Sequence, residues 1–540
     1  MPRLPLLTAL GLLTLLTFHF PGHTYLLSDT QIYVPMFEHM RDPSLLANDI
    51  VATSPHTAFT IYDELTLFLA RATGLDFEPV LKFQQVVTRF LGVWGFYLTG
   101  TAVGLTAGSA LLAAAAVSLG ATIVGPAVLS FEYEPVPRGF AVCLMYAAIG
   151  LIGHRRYLAA GTAGAFAFLY HPPTAVPLWF ACSLMVFAGE DRRARWRGFL
   201  PLAAAAVLLA AIAAPQSGLN ERQALLTRLD GFQFEMQRIR ASYNFVSRWG
   251  STWLPHYGVL WVVALAGVWR LRTAVPGPLR VVLLAMPAWA AIAVPATYLL
   301  YEHWQWGMLG QFQPARALLF VTVIAALVAA IAGCRAAAER RWVEAFVWFL
   351  PVYWIPAHVR ITTLPPIERL VLILAFAGLA TLATVLRGRW TSAVLVAAIL
   401  FPVFLIPGAG GIVNYRQVET PELGALASWA AADTPKDAVF LFADNGRALD
   451  PGIFRARGRR ALYVDWKSGG QVNYFRRFAA EWWGRWRIAN EPPFAPDQLP
   501  RYASHGIDYI VVKPENRIAG LSPAFENSRY LAYQLTRNPD

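Results

Sequence analysis

Apolar runs of bilayer-crossing length recur along most of this chain, and they leave little conformational choice. Hydrocarbon offers no water to backbone N–H and C=O groups, so each run must close its hydrogen bonds internally, as a helix. The runs occupy residues 4–20, 86–104, 107–129, 138–153, 157–170, 173–188, 199–214, 255–270, 279–300, 316–333, 342–358, 369–386 and 391–408. The expected fold is a polytopic α-helical membrane protein of about 13 spans. Composition agrees, because 56% hydrophobic and 14% charged residues lie far from globular usage.

A net charge of +12 would suggest nucleic acid for a soluble protein. Here the arginines gather between runs, at Arg155 and Arg156, Arg192 to Arg197, Arg270 and Arg272, Arg335 to Arg341, and Arg387 and Arg389. Their basicity is topological, and no nucleic-acid partner is expected. With these clusters cytoplasmic, the N-terminus is inside, and residues 21–85, 215–253, 301–315 and 409–540 face outward from the inner (cytoplasmic) membrane. No small-residue cleavage site follows the first run, where Phe18 to Gly22 stand, so it reads as a retained anchor. Cys143, Cys182 and Cys334 lie in or at the ends of runs and read as packing residues, with neither a disulfide nor a thiolate metal site expected.

The chain divides into a transmembrane part, 1–408, with a long first outer loop at 21–85, and a C-terminal part, 409–540. In that loop Ile32 to Met40 and Ala58 to Ala72 carry apolar residues at helical spacing, as expected of helices lying in the interface. Residues 221–240 read as another amphipathic helix. Beyond Pro407, Thr420 and Pro421 start a helix ending near Asp433. Strand-like runs follow at 438–443, 461–466 and 507–512 around a helix at 471–488. A small extracytoplasmic α/β domain is the expected result. It carries no dinucleotide or P-loop glycine motif.

Chemistry has to occur where the acidic loop meets the membrane. Asp29, about nine residues beyond the first run, is the sharpest candidate for a general base. A carboxylate partly withdrawn from water has a raised pKa and accepts a proton from a hydroxyl, worth about 10²–10⁴-fold in rate. The plain alternative is a solvated or helix-capping Asp. Asp49 and the pair Asp63 and Glu64 are second candidates with the same alternative. Glu134 and Arg138 stand together in the 131–138 loop and suit sugar hydroxyls, unless Arg138 is simply paired internally. His171 sits where two runs meet outside, as a candidate for substrate binding or for satisfying a carbonyl. Glu302 and His303 lie in the outer loop before Arg316. An arginine at an external helix mouth runs against the positive-inside bias and can bind phosphate bidentately, or else snorkel to headgroups.

The order of these parts resembles the GT-C superfamily of membrane glycosyltransferases, in a bacterial branch. The resemblance is carried by the phrase from Asp29 through Tyr33 and Pro35 to Asp49, the mouths at Glu134 with Arg138 and at His171 with Pro172, and the segment Gln313, Pro314, Ala315, Arg316. It implies transfer of a sugar from a polyprenyl-phosphate donor to an unidentified glycan, lipid or protein acceptor at the outer face, usually without metal in the members that transfer single sugars, and with no cofactor beyond that donor. It also implies a carboxylate base at the start of the first outer loop, carried over here to Asp29. The adjacent Asp and Glu found directly after the first span in several families are absent, which leaves the base between Asp29 and Asp49. A transporter or lipid flippase would instead bury charge mid-span, whereas runs such as 317–333 are bare of it. A non-catalytic envelope assembly protein would use Trp466, Tyr474, Trp482, Trp483 and Trp486 for protein contact.

Overall fold

The computed structural model describes residues 3–54, 60–187, 192–216, 227–356, 367–408 and 419–535. Within these residues each apolar run is helical over most or all of its length, except 107–129. Among the described residues five helices are long and apolar enough to cross a membrane: Leu4–Gly22, Arg193–Ile212, Gly277–His303, Gly307–Ala338 and Ile367–Val385. Shorter apolar helices pack around them, among them Pro137–Gly153, Tyr157–Tyr170 and Pro172–Phe187. The run 107–129 is not one span. Its helix stops at Ser118, and strands β1 (Thr122–Ile123) and β2 (Val128–Leu129) form a small antiparallel hairpin. Gly120 and Gly125, both at positive φ, break the helical path that hydropathy alone would continue.

The helices approach closely where small residues meet. A Cβ on Gly95 would stand 2.2 Å from the Tyr146 carbonyl oxygen, and one on Gly150 would stand 2.5 Å from that of Gly95. Glycine at both positions lets Phe77–Ala102 and Pro137–Gly153 touch backbone to backbone, the usual device where lipid gives apolar side chains no preference for one another.

The C-terminal sheet has strands β3 (Val439–Phe442), β4 (Ala461–Leu462), β5 (Tyr509–Val512), β6 (Phe525–Glu526) and β7 (Leu531–Gln534), in the order β4-β3-β5-β7-β6. The first three are mutually parallel, and β7 and β6 continue antiparallel. Strand β3 is buried on both faces. Phe440 and Phe442 pack toward the Pro421–Asp433 and Asp450–Gly458 helices, and Val439 and Leu441 toward Arg476–Asn490. The run 461–466 is a strand only at its first two residues, and the helix expected from 471 begins at Arg476 after a 3₁₀ segment, Lys467–Asn473.

The first outer loop joins the two parts. Its helix Thr30–Arg41 places Val34 and Phe37 in the membrane-side core, while Ile32 and Met36 enter the core of the C-terminal sheet. Amphipathic spacing at 32–40 therefore reflects two protein partners, one on each face. Residues 55–59 and 217–226, which hold parts of the other two amphipathic stretches, lie outside the described residues; Tyr62–Thr73 and Gly231–Arg240 are helical.

Candidate active site

Asp29 sits at the start of the Thr30–Arg41 helix because the segment before it is fastened on both sides. Arg89, buried in Phe77–Ala102, donates to the carbonyls of Thr17, Gly22 and Glu132. Gln85 donates to the carbonyls of Glu132 and Tyr133, and the Thr24 N–H donates to Tyr133 O at 3.1 Å. These bonds bring residues 131–136 against residues 22–30. Glu134 is thereby delivered to the turn, where it accepts from the backbone N–H of Ser28 (2.8 Å) and Asp29 (3.0 Å) and from the Thr30 hydroxyl (2.5 Å). Burial and the neighbouring charge of Asp29 push the Glu134 carboxyl above its ordinary range.

The Asp29 carboxylate lies between two cations. Arg138 donates to its Oδ2, and Lys467 donates to its Oδ1 at 2.5 Å. Arg138 also donates from Nε to Glu132 at 2.7 Å. Burial alone would raise the Asp29 pKa, but Lys467 and Arg138 outweigh it and hold the carboxyl well below the ordinary range. The raised pKa expected from an interfacial carboxylate is thus reversed, because two cations arrive from distant parts of the chain.

Lys467 escapes sequence reading. It follows β4 in the Lys467–Asn473 turn, about 440 positions from Asp29, and its Nζ also donates to Ser28 Oγ. Only the folded sheet brings it there. The turn is shaped by Gly469, where a Cβ would meet Arg240 Nε and the Trp482 ring, both at 2.5 Å. Gly469→Ala is therefore expected to displace the turn that carries Lys467, at a cost of about 1–3 kcal/mol. Thermal unfolding of the purified protein checks it, and an unchanged midpoint would show the turn to be tolerant.

Next to Arg138, the partner of Asp29, lies a cavity lined by both polar and apolar side chains. Glu132, Arg138, His171, Gln313 and Arg316 supply the polar lining; Val128, Val142, Pro177, Trp289, Leu319 and Phe320 supply much of the apolar lining. His171 is held neutral, its pKa lowered to about 3 by burial and by the charges of Arg316 and Arg138. Its Nδ1 accepts from the Thr174 N–H at 3.3 Å, which leaves the ring proton on Nε2 as a donor. Arg316 follows Gln313, whose backbone is left-handed at φ 47°. Both the Gln313 side-chain oxygen and Arg316 Nε are buried without a hydrogen-bond partner. Among the described residues Arg316 has no carboxylate within salt-bridge distance and lies 5.7 Å from the Tyr243 ring. The unsatisfied guanidinium nitrogen of Arg316 and the orphaned Gln313 acceptor leave hydrogen-bonding capacity free where Arg138 and His171 also line the cavity.

Asp49 lies elsewhere. It is 0% exposed, with Oδ1 accepting from the N–H of Val51 and Ala52, and Oδ2 from the N–H of Leu462. Arg455 stands 3.7 Å from it and 2.9 Å from Asp465, and also donates to the carbonyl of Gln31. Asp63 and Glu64 open the Tyr62–Thr73 helix. Glu302 accepts from the N–H and hydroxyl of Ser247, and His303 packs edge-on to Tyr298; neither lines the cavity. The geometry therefore gathers Asp29, Glu134, Arg138, His171 and Arg316, and leaves Asp49, Glu302 and His303 apart. Among the described residues no three His, Cys, Asp or Glu side chains converge as a metal-ligand set.

Residues 421–488 match a domain family described as a domain of unknown function, DUF6798. No curated protein matches the chain. The fold is similar to ArnT from Cupriavidus metallidurans bound to undecaprenyl phosphate, at 15% identity and TM-score 0.45, covering 99% of each chain. It is also similar to the archaeal oligosaccharyltransferase AglB from Archaeoglobus fulgidus in complex with an inhibitory peptide and a dolichol-phosphate, at 12% identity and TM-score 0.44, covering 94% of this chain and 69% of that one. The mycobacterial arabinofuranosyltransferase AftD is similar at 14% identity and TM-score 0.44, over 96% of this chain and 35% of AftD.

Proposed function

We propose that the chain is an integral-membrane glycosyltransferase that moves a sugar from a polyprenyl-phosphate donor to an acceptor at the outer face of the cytoplasmic membrane. The observation that carries this reading is the cavity next to Arg138, the partner of Asp29, lined by Arg316, His171 and Arg138 and by apolar side chains. A lipid-linked phosphate has both kinds of surface. Its tail suits the apolar lining, its charge suits Arg316, and its sugar reaches the carboxylates. The donor carries its own leaving group, so the reading requires no further cofactor.

In this reading Asp29 is the proton acceptor. While Lys467 and Arg138 both hold it, Asp29 is a weak base, so an acceptor hydroxyl or amine must displace one of them before transfer. Loss of the Lys467 contact restores basicity where and when the acceptor is bound. The hydroxyl then gives its proton to Asp29 as oxygen bonds to the anomeric carbon, and the sugar–phosphate bond breaks with its electron pair leaving on phosphate. The N-terminus faces the cytoplasm and the C-terminal sheet faces outward, which sets Lys467 over the chamber.

A panel of radiolabelled polyprenyl-phosphate sugars, incubated with the purified protein, tests the reading. Arg316→Ala removes a charged hydrogen-bond donor worth about 1.5–3 kcal/mol, so donor KM should rise roughly 10–150-fold. Wild-type donor kinetics in that variant would remove Arg316 from the donor site. Absence of turnover with every donor would favour a transporter or assembly role.

A further inference from the structure

Besides Arg316, two guanidiniums beside the turn that carries Lys467 have no carboxylate partner among the described residues: Arg240, at the end of the Gly231–Arg240 helix, and Arg447, in the loop after β3. Both stand against Trp466, at 4.3 Å and 4.2 Å from its ring centroid, and Arg240 lies 5.6 Å from Trp482. Arg240 Nε is buried and unbonded, and burial lowers its pKa to about 10. Asp465 acts on Arg240 only through its charge, since its oxygens already bond Arg455 and the N–H groups of Lys467 and Ser468.

Arg240 and Arg447 set two like charges against one indole, an arrangement that costs free energy until an anion joins it. Their place in the fold is also informative. Trp466 and Lys467 follow β4, and Arg447 follows β3, so they stand beyond the carboxyl ends of neighbouring parallel strands, where open α/β sheets bind ligands. Neither arginine lines the apolar cavity, and Lys467, next to Trp466 in the chain, reaches Asp29 from this side.

We infer that Arg240 and Arg447 form a second anion subsite that takes a phosphate or carboxylate carried by the acceptor saccharide. The inference rests on the glycosyltransferase reading for the word acceptor, and on the two arginines for the anion. An acidic acceptor docked there lies against Trp466, the chain neighbour of Lys467, and so meets Asp29 on the side that Lys467 occupies. Its charge also draws Lys467 away from Asp29.

The test is titration of the full-length protein in nanodiscs with glucose 6-phosphate, glucuronate and methyl glucoside, read by tryptophan fluorescence. Decaprenyl phosphate and decaprenyl diphosphate are titrated in parallel. The two acidic sugars should bind saturably and the neutral one should not. Arg447→Ala, at an exposed position, should weaken acidic-sugar binding at least ten-fold, and Arg240→Lys should retain part of it. Decaprenyl phosphate should bind these variants as it binds wild type. Equal binding of the neutral sugar, or indifference to Arg447→Ala, overturns the subsite. Competition by decaprenyl diphosphate, but not the monophosphate, overturns the acceptor assignment and gives the two arginines to a diphosphate donor. If Arg316→Ala leaves decaprenyl phosphate binding intact while acidic sugars still bind, the donor reading fails and the anion subsite stands.

Discussion

Asp29→Asn should reduce glycosyl transfer by about 10²–10⁴-fold, the range for loss of a positioned proton acceptor. Asparagine fills the same volume but accepts no proton at neutral pH, and its amide cannot face both Arg138 and Lys467 with an oxygen. The charge environment adds a second, more discriminating result. In wild type the two cations keep Asp29 ionised far into the acid range. Lys467→Met removes one of them while burial stays, so the Asp29 pKa rises and the acid limb of the pH–rate profile moves to higher pH. A group with a depressed folded pKa contributes stability above its unfolded value of about 3.9. That contribution is lost as pH falls from there toward the folded value, so wild type should lose melting temperature below about pH 4. The Lys467→Met variant should show a smaller loss over the same window. Transfer by Asp29→Asn at the wild-type rate, in a preparation with wild-type melting, would falsify the assignment of the base. An unmoved acid limb in Lys467→Met would show that Lys467 does not tune it.

Hydropathy locates the helices because the rule it expresses is local: every residue of a spanning segment meets lipid or another helix, so the run itself carries the signal. The same rule misreads 107–129, where apolar side chains continue through a hairpin buried in protein, and only Gly120 and Gly125 mark the change. Asp29, Glu134, Arg138, His171 and Arg316 were legible as polar residues at the outer ends of apolar runs. Lys467, Arg240 and Arg447 were not, since each lies in a segment that reads as ordinary loop or amphipathic helix. Their placement depends on how the C-terminal sheet packs against the rest of the chain, which no local pattern carries. The sign of the Asp29 shift failed for the same reason: burial is partly readable from position, whereas the partner that reverses it arrives from residue 467. A pointer did exist in Lys-Ser-Gly-Gly at 467–470, adjacent glycines after a short apolar run, which signal close backbone approach.

The largest loss of stability is expected at Arg455. Its side chain is 1% exposed, and it stands between Asp49 and Asp465, which are 0% and 3% exposed. Removal of the one cation from such a group leaves buried carboxylates uncompensated, typically at about 3–5 kcal/mol. Arg455→Met should therefore lower the melting temperature sharply, more than any substitution of a surface arginine such as Arg459. The same group decides what Asp49 does. Its oxygens accept backbone N–H groups from its own loop and from Leu462 in β4, so Asp49 fastens the first outer loop to the sheet that carries Lys467. Asp49→Asn keeps the shape but reverses one donor–acceptor match, at about 1–3 kcal/mol for a buried group left unsatisfied. Activity in Asp49→Asn should fall only with the fraction of folded protein, with an unchanged pH profile, because the chamber forms whenever the loop is docked. Loss of transfer at wild-type melting temperature would instead return Asp49 to the chemistry. Arg455→Met supplies the control: undocking the loop separates Asp29 from Lys467, so transfer and melting temperature should fall together.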